Sequence, residues 1–84
     1  MAYFYVLFSV ELNCFYVGST RGSLEERLRR HLSEHKGYTA KAKDWKVVYD
    51  EYFEMYVEAY RREKHIKSLK DRKLLIDLIN TRPL

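Results

Sequence analysis

The spacing of apolar residues changes along the chain, and each change predicts a different element. Residues 3–10 are aromatic or β-branched almost throughout, which predicts a strand that is buried on both faces or nearly so. A short interruption ends at the turn-forming Asn13, and residues 14–17 then resume the same pattern. Two strands joined by so few residues form a hairpin, so we expect Tyr5 and Tyr16 on neighbouring strands.

The spacing of apolar residues becomes helical after Gly18, where we expect the second strand to end and the chain to turn. Ser23 precedes Glu26 by three positions, which is the spacing of a capping box at a helix start. Arg27 and His31 then fall beside the apolar face of this helix and not opposite it. The residues that define the apolar face, four positions apart, are Leu24, Leu28 and Leu32.

The second half of the chain predicts a loop, a strand and two helices. Residues 35–44 are polar and rich in lysine, which is typical of a mobile loop, and residues 45–53 alternate partly as a third strand. Helical spacing follows over residues 55–67, without a good N-cap residue, and again over residues 71–80. The order β-β-α-β-α-α predicts an α+β domain, in which helices flank a three-stranded, mostly antiparallel sheet.

Glu63 is the unusual residue of the second predicted helix. It lies in the middle of the face that we expect to point inward, and carboxylates are rarely placed there unless they are paired or bound to a cation. Simple ion pairing is therefore an alternative to metal binding. The other residues of that face are Tyr56, Ala59, Tyr60 and Ile66. The candidate ion-pair partners are Arg27, Arg62 and Lys67.

Composition limits the classes of protein without choosing a function. The 84 residues suffice for one small domain, residues 1–84. The net charge of +4 is compatible with a polyanionic partner, although many small domains share it, and the eight tyrosines suit a wet surface. The single Cys14 makes neither an internal disulfide nor a cysteine zinc site. There is no run that is apolar and long enough for a membrane and no leader pattern, so we expect a cytoplasmic protein.

The unusual residues match the needs of phosphodiester hydrolysis. Such a hydrolase needs a group that takes a proton from water, a cation for the phosphate and commonly a carboxylate that holds a metal ion. The candidates are Tyr5, Tyr16, Arg27, His31 and Glu63. Simpler interpretations exist: the tyrosines can be packing residues, and Arg27 with His31 an ordinary helix edge. His31 and His35 have the spacing of a metal pair, but two histidines are a weak zinc signal.

The chain resembles the GIY-YIG nuclease superfamily in four motifs that occur in order. Residues 3–5 (Tyr-Phe-Tyr) resemble the first motif without its glycine and isoleucine, and residues 16–18 (Tyr-Val-Gly) resemble the second. Residues 24–31 are similar to the third motif, and residues 62–68 to the segment with the metal-binding glutamate. The short chain looks like the small stand-alone bacterial branch and is similar to the nuclease domain of the excision-repair incision protein. Asn80 is the only counterpart of a late asparagine in the family.

This resemblance implies an endonuclease that cleaves DNA with a single divalent ion, Mg²⁺ or Mn²⁺, in repair or recombination. Glu63 would hold the metal, and Arg27 would stabilise charge on the phosphate. Tyr5, Tyr16 and His31 would position or deprotonate the attacking water; we favour Tyr16 next to the water and Tyr5 next to the phosphate. The basic residues expected to contact DNA, structured or branched DNA included, are Lys36, Lys41, Lys43 and Arg30.

Two other functions fit the same sequence. One is a nucleic-acid-binding module of this fold with weak catalysis, which would bind in a salt-sensitive manner without forming product. The other is an interaction domain in which the tyrosines form a homodimer surface or bind another protein. We rank the interaction domain last because it gives no reason for the joint placement of Arg27, His31 and Glu63.

Overall fold

The computed structural model describes residues 1–33 and 37–81, and it contains one antiparallel sheet with helices on both faces. The strands are β1 (Ala2–Ser9), β2 (Cys14–Arg21) and β3 (Lys46–Phe53), in the sheet order β2-β1-β3. The helices are α1 (Leu24–Leu32), α2 (Tyr56–Leu69) and α3 (Arg72–Thr81). The predicted fold class and the order β-β-α-β-α-α are confirmed. No helix in the described ranges is both long and apolar enough to cross a bilayer.

The central strand β1 divides the core into two layers, because alternate side chains of a strand point to opposite faces. Phe4 and Val6 pack on one face, and Tyr5 and Leu7 pack on the other. The layer around Phe4 is closed by apolar residues of α2 and α3, namely Ile66, Leu75, Leu78 and Ile79. The layer around Tyr5 is closed by α1 and the segment before β3, through Leu24, Leu28, Leu32, Ala42 and Trp45. Both faces of β1 are therefore covered, as its unbroken apolar run predicts.

Gly18 has a different role from the predicted one. β2 does not stop at Gly18 but continues to Arg21, so the expected sharp turn at the glycine is wrong. In the sheet Gly18 lies opposite Tyr5, and a Cβ atom at Gly18 would lie 2.5 Å from the Tyr5 hydroxyl oxygen and 2.6 Å from its Cζ. The missing side chain therefore makes room for the tyrosine ring of the neighbouring strand.

Part of the predicted loop over residues 35–44 is ordered by hydrogen bonds. Tyr38–Lys41 forms a 3₁₀-helix, in which Thr39 is buried, and Ala42 is buried just after it. The indole Nε1 of the buried Trp45 donates to the Thr39 carbonyl oxygen over 2.8 Å. Polar residues anchored by such bonds give no apolar period, which is why the sequence pattern indicated a loop. His35 and Lys36 lie outside the described residues.

Two details of the helices also differ from what the sequence pattern favours. Tyr60 is 40% exposed, so the inward face predicted for α2 is correct for the buried Ala59 and Ile66 but wrong for Tyr60. A pairing of Glu26 with Arg30, which their spacing favours, is also not formed. The ion pairs among the described residues are Arg62–Glu51 and Lys67–Glu63.

The contact between Gly18 and Tyr5 predicts that Gly18→Ala destabilises the domain. The added methyl group must displace a ring that is 1% exposed, and such overpacking costs about 1–3 kcal/mol of unfolding free energy. Urea unfolding followed by circular dichroism measures the change. In a Tyr5→Leu background the same substitution should cost clearly less, and an equal cost in both backgrounds would refute this explanation.

Candidate active site

The Tyr5 hydroxyl group is the centre of a hydrogen-bonded network between β1 and α1. Its oxygen lies 2.8 Å from Nε2 of His31 and accepts a hydrogen bond of 3.2 Å from Nε of Arg27. His31 is 7% exposed, and its Nδ1 lies 2.8 Å from Oγ1 of Thr39. The network therefore joins an arginine, a tyrosine, a histidine and a threonine that come from three separate segments of the chain.

The direction of the protons in this network follows from the donors available. Arg27 donates to the Tyr5 oxygen and accepts nothing, so the phenol proton is free to be donated to Nε2 of His31. Neutral His31 then carries its own proton on Nδ1 and donates it to the Thr39 hydroxyl oxygen. In this arrangement the hydrogens on Arg27 Nε, the Tyr5 hydroxyl and His31 Nδ1 each have an acceptor.

Burial keeps the Tyr5 phenol neutral. Desolvation is the main cause that raises the pKa of Tyr5 to about 12, and the hydrogen bond from Arg27, with its positive charge, offsets only part of this rise. The hydrogen bond to Tyr5 in turn raises the pKa of Arg27, so the guanidinium remains charged. Tyr5 is thus a hydrogen-bonding group at neutral pH and is poorly suited to act as a base.

Tyr16 lies next to this network but has a different environment. Its ring is 4.9 Å from the His31 ring, and it stacks on Tyr38 at 6.3 Å with an angle of 17° between the planes. The Tyr16 hydroxyl makes no hydrogen bond to any residue in the described ranges, in contrast to that of Tyr5. A cleft of about 380 Å³ opens in front of it. The lining residues include Tyr16, Arg27, Arg30, His31, Tyr38 and Thr39.

Glu63 reaches the same edge of the sheet from α2, on the opposite face. Ser19 Oγ donates to its Oε1 over 2.5 Å, and Lys67 Nζ donates to its Oε2 over 2.7 Å. The Lys67 ammonium lies 5.8 Å from the centre of the Tyr16 ring, so it connects the two sides across β2. Of the three ion-pair partners considered from the sequence, Lys67 is the one that Glu63 contacts; Arg62 pairs with Glu51 instead.

The donor set fits a hard divalent ion bound by one carboxylate. Glu63 is held in position by Ser19, and its side chain is only 15% exposed. Mg²⁺ commonly binds through one or two carboxylates, keeps several waters and takes further oxygens from a phosphate. In residues 1–33 and 37–81 there is no cluster of three or more His, Cys, Asp or Glu side chains that could form a closed site of the zinc type.

The basic residues predicted to contact substrate differ in their surroundings. Arg30 lines the cleft in front of Tyr16. Lys41 lies outside it with Nζ 5.1 Å from the centre of the Tyr38 ring, and Lys43 donates to the Leu32 carbonyl oxygen. Lys36 is not among the described residues. Asn80 lines a separate apolar cavity with Phe8, Phe15, Val48, Ile76 and Ile79, so its match to a family motif finds no support in this cleft.

Two residues of the site, Ser19 and Thr39, were missed in the sequence, and Lys67 was named only as one of three possible partners of Glu63. Lys67 follows Glu63 by four positions, so helical spacing alone could have given it priority over the other partners. Ser19 could have been placed on the α2 side of β2, because it is one residue from Gly18 in an extended strand. Thr39 gave no usable signal, since its contact with His31 depends on the path of the chain between α1 and β3.

Comparison with known proteins places the chain in a family. The family model described as the GIY-YIG catalytic domain matches residues 1–75. The chain therefore belongs to the GIY-YIG family, which confirms the family resemblance. No curated protein and no solved structure gave a match. GIY-YIG domains are nucleases, which supports a hydrolase function in the broad sense.

The buried environment of Tyr5 predicts an unusual titration. We expect the ¹³Cζ resonance that Tyr5→Phe removes to titrate with a pKa of about 12, because burial favours the neutral phenol. An unfolded tyrosine loses its proton near pH 10, about two units earlier, so stability should fall as the pH rises between these values. Titration of ¹³Cζ-tyrosine-labelled protein tests this, and deprotonation of Tyr5 near pH 10 would contradict the description.

Proposed function

We propose that this GIY-YIG domain is a divalent-metal-dependent endonuclease that hydrolyses DNA phosphodiester bonds with a single metal ion. The observation that carries the proposal is the arrangement at the edge of β2. There the network of Tyr5, Arg27 and His31 and the open hydroxyl of Tyr16 lie across the strand from the Glu63 carboxylate. A carboxylate, a fixed arginine and a hydroxyl with no hydrogen-bond partner among the described residues match the metal ligand, cation and proton acceptor that phosphodiester hydrolysis uses.

Glu63 would hold the ion, Mg²⁺ or Mn²⁺. When bound, the ion would supply a Lewis acid that neutralises charge on the phosphate oxygens. Lys67 would have to leave Oε2 for this, and its side chain is 48% exposed, so the ion pair that is lost is a weak one. Ser19 would keep the carboxylate in place through its bond to Oε1.

Arg27 would bind the phosphate at the reacting centre. Its Nε is occupied by Tyr5, while its terminal nitrogens have no hydrogen bond to a described residue and the side chain lines the cleft. A guanidinium fixed at one nitrogen keeps its remaining donors in one plane, which suits the oxygens of a phosphate. Tyr5 and His31 would thus act by orienting Arg27, because the one proton of the neutral Tyr5 hydroxyl is already directed at Nε2 of His31. Tyr5 would orient the substrate phosphate through Arg27.

Tyr16 would act on the attacking water. Its oxygen is available as an acceptor, whereas the Tyr5 oxygen already takes part in two hydrogen bonds. The water oxygen would form the new bond to phosphorus as the bond from phosphorus to the leaving ester oxygen breaks. Tyr16 would take the proton of the water as a phenolate, an anion that nearby cations such as Arg27 favour, and the leaving oxygen would take a proton from solvent. Arg30 and the lysines at positions 36, 41 and 43 would contact the backbone of the DNA on either side.

We propose several further properties of the domain on the same basis. They comprise action on structured or branched DNA, a role in repair or recombination, a cytoplasmic location, similarity to the excision-repair incision protein and an additional protein partner or homodimer. A single domain of this size offers little surface for DNA, so a partner would increase the affinity by adding contacts.

A second candidate function is a nucleic-acid-binding module with weak catalysis. The observation in its favour is the Lys67–Glu63 ion pair, because an ammonium bound to the carboxylate competes with a divalent ion. This candidate predicts salt-sensitive binding of DNA, measured by fluorescence anisotropy, and no product with Mg²⁺ or Mn²⁺. Absence of binding at low salt would refute both candidates.

The proposal predicts that Glu63→Gln lowers cleavage by about two orders of magnitude or more, since an amide binds a divalent ion far more weakly than a carboxylate does. The test is plasmid nicking and cleavage of labelled flaps, junctions and single strands with Mg²⁺ or Mn²⁺. Glu58→Gln is the matched control, because Glu58 is exposed on the same helix. Undiminished cleavage by Glu63→Gln, with the fold intact, would refute the mechanism.

Tyr16→Phe should lower kcat by about 10²- to 10⁴-fold, because it removes only the oxygen that contacts the water. Tyr38→Phe is the control: this residue stacks on Tyr16 in the same cleft, and its hydroxyl contacts Cys14 Sγ instead. Single-turnover rates measured at saturating enzyme separate the chemical step from binding. Equal rates for Tyr16→Phe and Tyr38→Phe would exclude Tyr16 from the chemistry.

A further inference from the structure

A small polar cavity of about 60 Å³ lies beside the cleft and has no assigned role. Its lining comes from the end of β2 and the first turns of α1, and almost all of it is polar. Arg27 and Arg30 line both this cavity and the cleft in front of Tyr16, so the two spaces share a wall. The lining residues are Thr20, Arg21, Ser23, Glu26, Arg27 and Arg30.

The cavity carries excess positive charge. Three arginines and one acidic residue, Glu26, are among its lining residues. None of the three arginines forms an ion pair within the described ranges, where the ion pairs are Arg62–Glu51 and Lys67–Glu63. The hydrogen bond from Arg27 to the neutral Tyr5 hydroxyl cancels no charge. Converging cations in a concave polar space attract an anion, and the planar fork of arginine matches a phosphate.

Arg21 is held in place by an aromatic ring and not by an acid. Its Cζ lies 4.3 Å from the centre of the Tyr56 ring at the start of α2. Tyr56 is itself supported by Tyr60, whose ring stacks on it at 6.0 Å. Stacking on a ring leaves the N–H groups at the edge of the guanidinium available to a ligand, and it reduces the entropy lost when the ligand binds.

The start of α1 adds to the same potential. Ser23 is the N-cap residue of the nine-residue helix and lines the cavity, so the positive end of the helix dipole lies near it. Ser23 Oγ accepts from the backbone N–H of Glu26, so the serine is used in capping. The arginines therefore supply the main attraction, and the helix end strengthens it.

We propose that Arg21, together with Arg30, binds the phosphate next to the scissile one in the nucleic-acid strand, while Arg27 contacts the scissile phosphate. This inference rests on the proposed nuclease function, because the occupant must extend from the cleft into the cavity. The shared wall of Arg27 and Arg30 supports a continuous polyanion over a separate small anion. Arg21 is then a substrate-binding residue that fixes the register of the strand and takes no part in the chemistry.

Arg21→Gln is the first test. We expect the enzyme concentration for half-maximal single-turnover cleavage to rise about 5- to 20-fold and kcat to change less than twofold. The slope of log K for DNA binding against log salt should become shallower by the amount expected for the loss of about one phosphate contact. Arg61→Gln is the matched control, because Arg61 is exposed on α2 and lines neither space. Equal effects of Arg21→Gln and Arg61→Gln would refute the subsite.

Glu26→Gln should change the affinity in the opposite direction. Removal of the one carboxylate of the lining should tighten binding of the same substrate at low salt, whereas removal of an arginine weakens it. Weaker binding by Glu26→Gln would show that this carboxylate supports the site through another contact, and it would contradict the charge argument.

A methylphosphonate scan identifies the phosphate concerned. In the Glu63→Gln background, which prevents cleavage, each phosphate near the scissile position is made neutral in turn and affinity is measured by anisotropy. At one position next to the scissile phosphate, neutralisation should lower the affinity of the protein that retains Arg21. It should cause no further loss of affinity when Arg21→Gln is also present. A general structural role for Arg21 would give additive losses at every position and would overturn the proposal.

Inorganic phosphate is the competing occupant. If it shifts the Arg21 side-chain NMR signals while the scan stays additive everywhere, the cavity binds free anions and the strand proposal is wrong. If wild-type protein cleaves DNA but Arg21→Gln behaves as Arg61→Gln does, only the subsite fails. If wild-type protein neither binds nor cleaves nucleic acid, the proposed function fails, and the subsite fails with it.

Discussion

The close approach of the Tyr5 ring to Gly18 is the contact on which the rest of the site depends. The two residues are partners across β1 and β2, and a side chain on the glycine would occupy the space of the phenol. With the ring in that space, its hydroxyl lies within hydrogen-bonding distance of Nε of Arg27 and Nε2 of His31. One missing side chain on an edge strand thereby fixes an arginine and a histidine on a helix above it.

The position of β2 at the edge of the sheet explains how one site draws on both faces. α1 supplies Arg27 and His31 from one side, and α2 supplies Glu63 and Lys67 from the other. If β2 were a central strand, a neighbouring strand on each side would separate the groups on the two faces. At the edge, the Lys67 ammonium reaches 5.8 Å from the Tyr16 ring, although the two residues belong to opposite layers.

Burial gives the two tyrosines different chemical properties. Tyr5 is enclosed and its pKa rises to about 12, so it serves as a neutral hydrogen-bonding group. Tyr16 is only partly covered, and its hydroxyl is not bonded to any residue described in the structure. The same side-chain type therefore holds the arginine in place on β1 and lines the open cleft on β2. The basic residues around them add a potential that favours a polyanion.

Local sequence pattern determined the elements, because periodicity and capping are properties of neighbouring residues. The apolar run of β1, the Ser23 cap and the stripe of Leu24, Leu28 and Leu32 predicted elements that the order β-β-α-β-α-α contains, and the four motifs indicated the family. Only the tertiary structure decided what depends on residues far apart in the chain. Gly18 proved to face a ring and not to form a turn, and Thr39 proved to contact His31. Register and the path between elements set such contacts, and no local pattern encodes them.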